Sequence, residues 1–303
     1  GLLTLFEESR PTQNFATYLI VSCQQNIECL SLKKGAKMFK LKEIDPNDTG
    51  PFNKKEDAAA ELEQCSQKLN DLMYLMFAEN RRSLLVILQG IDTSGKDGVI
   101  RHIFSSVNPQ GLKVHSFKQP SENELKHDYL WRCHRVAPES GETAVFNRSY
   151  YEDVTTTLVH RKLLNREHLP KQILDRKDFF EIRYRQINDF EKMMSENGTL
   201  ILKFLLHISK DEQKQRLEER IKDPTKNWKF SLADTRERKY WDEYQKAFEL
   251  MLNKTNTRSA PWKIIPANKK WYRNYLVSKT IVETLSDVKM KFPKLSGSRI
   301  RID

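Results

Sequence analysis

The sequence predicts an α/β protein in which an open, five-stranded parallel sheet is flanked by helices on both faces. Three observations predict it. Short apolar runs alternate with amphipathic segments of helical length, the pattern of β-α-β units joined by right-handed crossovers. A glycine-rich turn follows the first apolar run and leads straight into a helical segment. The 303-residue chain is 38% hydrophobic and 10% aromatic, enough to fill the core such a sheet needs. In open parallel sheets ligands lie beyond the carboxyl ends of the strands, so the residues after each strand carry the functional argument.

The elements follow in order. Residues 31–53 are rich in lysine and turn formers and read as an irregular arm; with the preceding residues they make an N-terminal arm over 1–53. From Lys54 to Asn80, Leu62, Cys65, Leu69, Leu72, Met73 and Met76 recur at three- and four-residue steps, one face of a long helix that packs on a core. Strands are expected at 84–89, 112–118, 143–149, 199–209 and 262–268. Helices are expected at 96–107, 121–136, 169–197, 210–223, 233–255 and from Lys270 to about Met290. Ser121 and Glu124 have the capping-box spacing, and Gly198 stops the helix over 169–197. One domain spans 54–290, and the basic tail 291–303 reads as loose.

Composition excludes several classes. With 10 Gly and 11 Pro the chain is neither collagen-like nor a Pro/Gly low-complexity sequence. The four cysteines Cys23, Cys29, Cys65 and Cys133 include no CxxC pair, so neither a disulfide scaffold nor a zinc site is expected. The apolar runs at 84–88 and 200–208 are too short to span a bilayer. Glu7 and Glu8 before the apolar stretch 15–23 fit a secretory signal poorly. A cytoplasmic protein without membrane attachment is expected. Fifty-two Lys and Arg against 41 Asp and Glu give a net charge of +11 at pH 7, which suits an anionic partner.

Gly90, Gly95 and Lys96 fit G-x-x-x-x-G-K in the segment GIDTSGKDG. The motif sits directly after a strand and before a helix, the context it requires. Such a turn points successive N–H groups at an anion, and the next helix adds its positive end. Gly90, Thr93, Ser94, Gly95, Lys96 and Asp97 are therefore expected to cradle phosphate, with Lys96 as a mobile point charge. The position after the lysine is Asp97 where Ser or Thr is usual. Two acids beside a phosphate cradle repel a polyanion unless Mg²⁺ lies between. Asp92 is the stronger candidate for a catalytic or metal-organising carboxylate. Asp97 reads equally well as a first-turn acid favouring the helix dipole.

After the third strand comes FNRSYYEDV, residues 146–154. Arg148 lies just beyond the strand end and can clamp phosphate oxygens bidentately. Asn147 stands where many phosphate-loop enzymes place an acid. Tyr151, Glu152 and Asp153 follow as nucleotide-side candidates, although Asp153 reads equally as the start of a helix. In HDYLWRCHRV, Arg132 is a candidate phosphate ligand. Trp131 reads as core, and His134 as a packed surface histidine. Arg216 and Arg220 are four apart on one helical face in a cation-dense stretch. They read either as a solvated, ion-paired face or as a lid, about 210–235, that folds over a polyanion and excludes water.

LVILQGIDTSGKDG, NPQGLKVHSFKQP, HDYLWRCH, AVFNRSYYEDV, KFLLHISKDEQKQRLEERIKDPTKNWKF and PWKIIPANKKWYRNYLVSKTIVETL resemble the polyphosphate kinase 2 family, in order, from about Leu32 to Leu285. The resemblance implies a P-loop, thymidylate-kinase-like fold with a helical lid, and Mg²⁺-dependent, reversible phosphoryl transfer between inorganic polyphosphate and a nucleotide. Asp92 and Lys96 fall in its Walker A loop, Asn147 and Arg148 at its Walker B position, and Arg216 and Arg220 in its lid. Some members carry Asp where Asn147 stands, which shifts metal ligation from Asn147 towards Asp92. The form FNRSYYEDV resembles the subgroups that act on AMP, or on both AMP and ADP. ATP is then a product, GMP and GDP are further acceptors to test, and a homo-oligomer, dimer or tetramer, is expected. Residues 1–30 match nothing in the family.

Two other functions remain open at this level. An ATP-dependent nucleoside monophosphate kinase shares the loop, fold and lid. A nucleic-acid-binding module fits the charge, but the basic residues flank a phosphate loop and form no separate stripe, so no specific nucleic-acid partner is expected.

Overall fold

The computed structural model describes residues 38–295. The expectations for residues 1–37 and 296–303, including Cys23, Cys29 and most of the tail, lie outside the described residues. The five strands are β1 (Ser83–Gln89), β2 (Leu112–Ser116), β3 (Thr143–Asn147), β4 (Thr199–His207) and β5 (Trp262–Pro266). They form one parallel sheet in the order β2-β3-β1-β4-β5. The α/β class and the five-stranded parallel sheet are borne out. β1 is buried along its whole length and β4 nearly so, which is why both read as continuous apolar runs and not as alternating ones. The switch in strand order at β1 puts the turn after β1 between its two neighbours, where a crevice opens.

The helices are α1 (Ala59–Glu79), α2 (Lys96–Ile103), α3 (Trp131–His134), α4 (Glu152–Val159), α5 (Lys171–Leu174), α6 (Phe179–Glu196), α7 (Lys210–Lys222), α8 (Leu232–Glu237), α9 (Trp241–Thr255) and α10 (Lys270–Asp287). In α1, Leu69, Met73 and Met76 are buried and pack into the core, while Leu62, Cys65 and Leu72 are half-buried. Cys65 and Cys133 carry free thiols. Among the described residues no helix is long and apolar enough to cross a membrane.

Three helices expected to be continuous are broken. In 121–136 the Ser121–Glu124 capping box forms, with Ser121 N–H donating to Glu124 at 2.7 Å, but only a 3₁₀ turn and α3 follow. The Asp128 carboxylate accepts from the N–H groups of Leu130 and Trp131 at 3.0 and 3.1 Å. This side-chain turn competes with helix propagation. The helix expected from 169 starts at Phe179. Before it, Arg176 closes a bidentate pair on Asp178, both bonds 2.9 Å. The helix expected over 233–255 is α8 and α9 joined by a 3₁₀ turn at Arg238–Tyr240. There Arg238 donates to Lys210 O at 2.9 Å and Gln213 Oε1 at 3.0 Å, holding the turn against α7. Gly198, at φ +95°, ends α6 in the left-handed conformation.

The arm over 38–53 crosses the carboxyl edge of the sheet. Phe39 and Leu41 N–H groups donate to Asn253 and Glu249 of α9. Phe52 packs edge-on against Trp271, Tyr272 and Tyr275 of α10, its ring centroid 5.2 Å from that of Tyr275.

Candidate active site

The turn between β1 and α2 requires left-handed backbone at Gly90 (φ +144°), Thr93 (φ +68°) and Gly95 (φ +101°). A Cβ on Gly90 would stand 2.7 Å from Leu206 O, and one on Gly95 1.9 Å from an Arg273 nitrogen. Both glycines are therefore fixed by close approach as well as by φ. Thr93 accepts the same region without that freedom, a local strain of the kind concentrated at functional turns.

This turn forms one wall of a cleft of about 1240 Å³. Ten cationic side chains and four carboxylates line it, a balance that favours a multiply charged anion. Asp92, Thr93, Gly95, Lys96 and Asp97 face it, as do Asn147, Arg148, Arg216 and Arg220. The residues singled out at the ends of β1 and β3 and on the lid are thus brought to one cleft. Gly90 and Ser94 belong to the turn but do not line the cleft.

Lys96 is buried, and its ammonium donates back to Gly90 O at 2.6 Å and Ile91 O at 3.3 Å. Burial, with the Arg148 cation nearby, pulls its pKa down to about 8. Arg148 leaves β3 with φ +65° and pairs with Asp92 and, at 3.4 Å, with Glu152. The carboxylates of Glu152 and Asp92 outweigh its burial and hold its pKa above the usual guanidinium range. Asn147 Nδ2 donates to Asp97 Oδ1 at 2.8 Å, and Lys229 of the lid reaches Asp97 Oδ2 at 2.8 Å. Burial pushes the Asp97 pKa up, but the hydrogen bonds from Lys229 and Asn147 bring it below the ordinary value.

The expected metal residues, Asp92 and Asn147, are thus engaged with Arg148 and Asp97. Among the described residues no group of three His, Cys, Asp or Glu side chains could hold a metal by itself. Mg²⁺ does not need such a cage, because it binds through one or two carboxylates plus substrate phosphates and water. The hydroxyl of Thr93, a cleft-lining residue, is buried without a hydrogen-bond partner, and the Asp92 and Asp97 carboxylates line the cleft. This all-oxygen donor set, incomplete without phosphate, fits Mg²⁺.

Five expectations are corrected, one of them at Glu152, expected at the nucleotide but held against Arg148 outside the cleft lining. Tyr151, expected at the nucleotide, is fully buried beneath the sheet. Its hydroxyl donates to Glu191 at 2.7 Å and accepts from Lys203 at 2.8 Å. Lys203 also pairs with Glu191 at 2.7 Å and donates to Thr255 O at 2.8 Å. Tyr150 donates to the same carboxylate at 2.8 Å. This satisfied network fixes the turn that carries Arg148; the lysine inside the apolar run TLILKFLLHIS is its signal in the sequence. Asp153, also expected at the nucleotide, is buried away from the cleft. Burial, opposed by Arg183 and Arg132, raises its pKa to about 7. Arg132 does not line the cleft either; it donates to Lys118 O at 2.9 Å and lies over the Phe117 ring. It shapes the wall that Lys118 and Phe117 present. Trp131, expected in the core, is half-buried between His127, 3.7 Å away in a stacked pair, and Arg135.

Two residues expected to act alike behave differently. Arg220 pairs with Asp234 of the lid at 3.3 Å. Arg216 is buried and tied to the site's backbone. It donates to Thr93 O at 2.9 Å, Ser94 O at 3.1 Å, Ala267 O at 2.6 Å and Asn268 O at 3.0 Å. Glu152 does not line the cleft; it contacts Arg148 and, at 2.8 Å, Thr156. His134 lies exposed with its ring edge-on to Phe190.

Sequence reasoning missed Arg273. It is buried beside Gly95 on the cleft wall, and burial together with Arg216 lowers its pKa to about 10. Its position in the first turn of α10, among lysines and aromatic residues, gave no signal.

Comparison with known proteins bears on this arrangement directly. The family model described as Polyphosphate kinase 2 matches residues 52–293. A protein of Meiothermus ruber named AMP/ADP-polyphosphate phosphotransferase is 48% identical over 257 residues, covering 84% of this chain and 92% of its own. One of Rhodopseudomonas palustris named ADP-polyphosphate phosphotransferase is 44% identical over 276 residues, covering 88% and 96%. The crystal structure of polyphosphate kinase 2 from Arthrobacter aurescens superposes with a TM-score of 0.81 at 39% identity, covering 90% of this chain and 93% of that one. A phosphate loop facing an arginine-bearing strand end, over a sheet shared with these proteins, places the chain in the polyphosphate kinase 2 family.

Proposed function

We propose that the protein transfers phosphoryl groups between inorganic polyphosphate and AMP or ADP, reversibly and with Mg²⁺. The observation that carries the reading is the cleft in which Lys96 and Arg148 face each other across Asp92 amid an excess of cations. The relatives named for AMP/ADP and ADP as acceptors support the nucleotide class.

The turn's N–H groups and the start of α2 receive the terminal phosphates of the donor. Lys96, drawn back on Gly90 O without ligand, moves onto a phosphate oxygen and is held charged by it. Arg148 leaves Asp92 to bridge the transferred group and the acceptor phosphate. Asp92, with the orphan hydroxyl of Thr93, is the candidate holder of Mg²⁺, which when bound neutralises phosphate charge. The lid closes through Lys229 and Arg220 and excludes water, so that the group passes to a nucleotide oxygen and not to solvent. Both bonds concerned are phosphoanhydrides, which makes the transfer reversible.

The test is a panel of AMP, ADP, GMP and GDP with polyphosphate, Mg²⁺ and no triphosphate. Formation of the next higher nucleotide supports the reading. No product with polyphosphate, but ADP from AMP and ATP, replaces it by an ordinary nucleoside monophosphate kinase.

A further inference from the structure

We infer that Asn268 is a positioning residue that couples the N-terminal arm and the lid helix to the phosphate loop. It lies two residues beyond the end of β5 and is buried. Its contacts run to two segments distant in sequence, the arm and α7 with its N-cap. Its own N–H donates to Pro46 O at 3.1 Å, and its Nδ2 donates to Asn47 Oδ1 at 2.9 Å. Its Oδ1 accepts from the Ser209 N–H at 3.0 Å, and its Nδ2 approaches Ser209 Oγ at 3.3 Å. Ser209 is the N-cap of α7, its hydroxyl accepting from Glu212 N–H at 3.1 Å. The Asn268 carbonyl accepts from Arg216, whose other nitrogen holds Thr93 O and Ser94 O.

The consequence is geometric. A peptide's carbonyl and the N–H of the following residue point in opposite directions. Holding the Ser94 carbonyl on Arg216 therefore aims the Gly95 N–H away from Arg216, while the Thr93 carbonyl, held by the same nitrogen, fixes the peptide whose Ser94 N–H closes the turn on Ile91 O at 3.1 Å. Of Arg216's other donors, Nε is held by Glu212 Oε1 at 2.7 Å and the second terminal nitrogen by Ala267 O and Asn268 O, which set the guanidinium against the chain just after β5. The Asn268 side chain pins that strand end to both the start of α7 and the arm. The arm has other attachments, at Asn253 and at the Phe52 cluster, but it is Asn268 that ties residues 46–47 to the chain end held by Arg216. Residues 46–47, far from the chemistry in sequence, thereby complete the active site's frame.

The catalytic part of this inference rests on the proposed phosphoryl transfer; the structural part does not. The test compares Asn268→Ala, Asn268→Asp and, as a control that loosens the arm elsewhere, Asn253→Ala. Two readouts are taken: hydrogen exchange at the amides of residues 93–97 without substrate, and kcat and KM with polyphosphate and nucleotide. Asn268→Ala is expected to speed loop exchange and lower kcat about tenfold, with nucleotide KM changed less than about twofold, since a misplacement of about 1 Å costs up to about 10² in rate. Asn268→Asp keeps the acceptor for Ser209 N–H, and Asn47 can turn its amide to donate, so it should restore most of the rate. Asn253→Ala should lower thermal stability and leave loop exchange and kcat at the wild-type level. Wild-type loop exchange in Asn268→Ala, an Asp variant no better than Ala, or an Asn253→Ala variant equally slow would each overturn the inference. A wild-type protein inactive with polyphosphate sinks the proposed function instead, and the exchange data still judge Asn268.

Discussion

Lys229 of the lid and Asp97 in the first turn of α2 form a 2.8 Å ion pair across the mouth of the cleft. Asp97 is simultaneously held by Asn147 at the end of β3, so one carboxylate joins lid, phosphate loop and central sheet. The pair is partly exposed, and such pairs contribute little to stability. Its importance is in lid position. Lys229→Met should leave the melting temperature nearly unchanged and raise KM for polyphosphate several-fold, read by initial rates at low ionic strength. An unchanged KM at every salt concentration would remove Lys229 from donor binding.

The buried ammonium of Lys96 predicts an alkaline limit. Its pKa in the free protein lies near 8, lowered chiefly by burial. Above that pH the free enzyme loses the charge that meets the donor, so kcat/KM for polyphosphate should fall with a midpoint near 8. Bound phosphate favours the charged form and raises the pKa, so kcat should hold to higher pH. Coincident limits for the two parameters would contradict this assignment.

Arg148→Ala removes a charge aimed at the transferred group. Turnover should drop roughly 10²–10³-fold, the scale of deleting one such stabiliser in other enzymes, while circular dichroism stays native. Asp92→Asn should blunt the response to Mg²⁺, shifting the metal concentration for half-maximal rate upward. An Asp92→Asn variant with the wild-type Mg²⁺ titration would place the metal elsewhere.

Lys203 and Glu191 are both fully buried and hydrogen-bonded to the tyrosines behind Arg148. Lys203→Met strands the Glu191 carboxylate in the core and should cost roughly 3–5 kcal/mol in urea unfolding. The double variant Lys203→Met with Glu191→Leu should recover most of that loss, because the desolvation cost disappears with the pair. A double variant as unstable as the single one would mean the network's shape, and not its charge, matters.

Asp153 supplies a separate pH signature. Its folded pKa of about 7 exceeds the unfolded value of 3.8. The unfolded chain therefore releases this proton first, and the stability this group provides at low pH is lost as pH rises through its folded pKa. The stability of Asp153→Asn relative to wild type should grow between about pH 4 and about pH 7 and stay level above, measured by chemical denaturation. A flat difference would show that Asp153 stays ionised in the folded protein.

How much of this was legible in the sequence depends on whether local pattern or distant contact decided the outcome. The strands β1 and β4 were visible because buried parallel strands are bare apolar runs, whereas the largely exposed β2 at the sheet's edge was read from its shorter, mixed pattern. The loop at Gly90–Lys96 was visible because a phosphate cradle constrains glycine and lysine at fixed spacing. The breaks at Asp128 and Arg176 were not, since a side-chain turn looks like any polar helical residue. Tyr151 was misplaced for a related reason. Adjacency to Arg148 in sequence says nothing of direction, and the ring turned inward to Glu191 and Lys203. Arg216 was picked out for its charge, whereas its fixed hold on four carbonyls exists only once β5 and the loop are side by side.

The central claim is that the turn from Gly90 to Lys96 holds the phosphate chain. A crystal of the protein soaked with polyphosphate and Mg²⁺ tests it most directly. The account predicts electron density for linked phosphates against the N–H groups of this turn, with Lys96 swung off Gly90 O and Arg148 off Asp92. Phosphate density bound at another surface, with Lys96 still on Gly90 O, would contradict it.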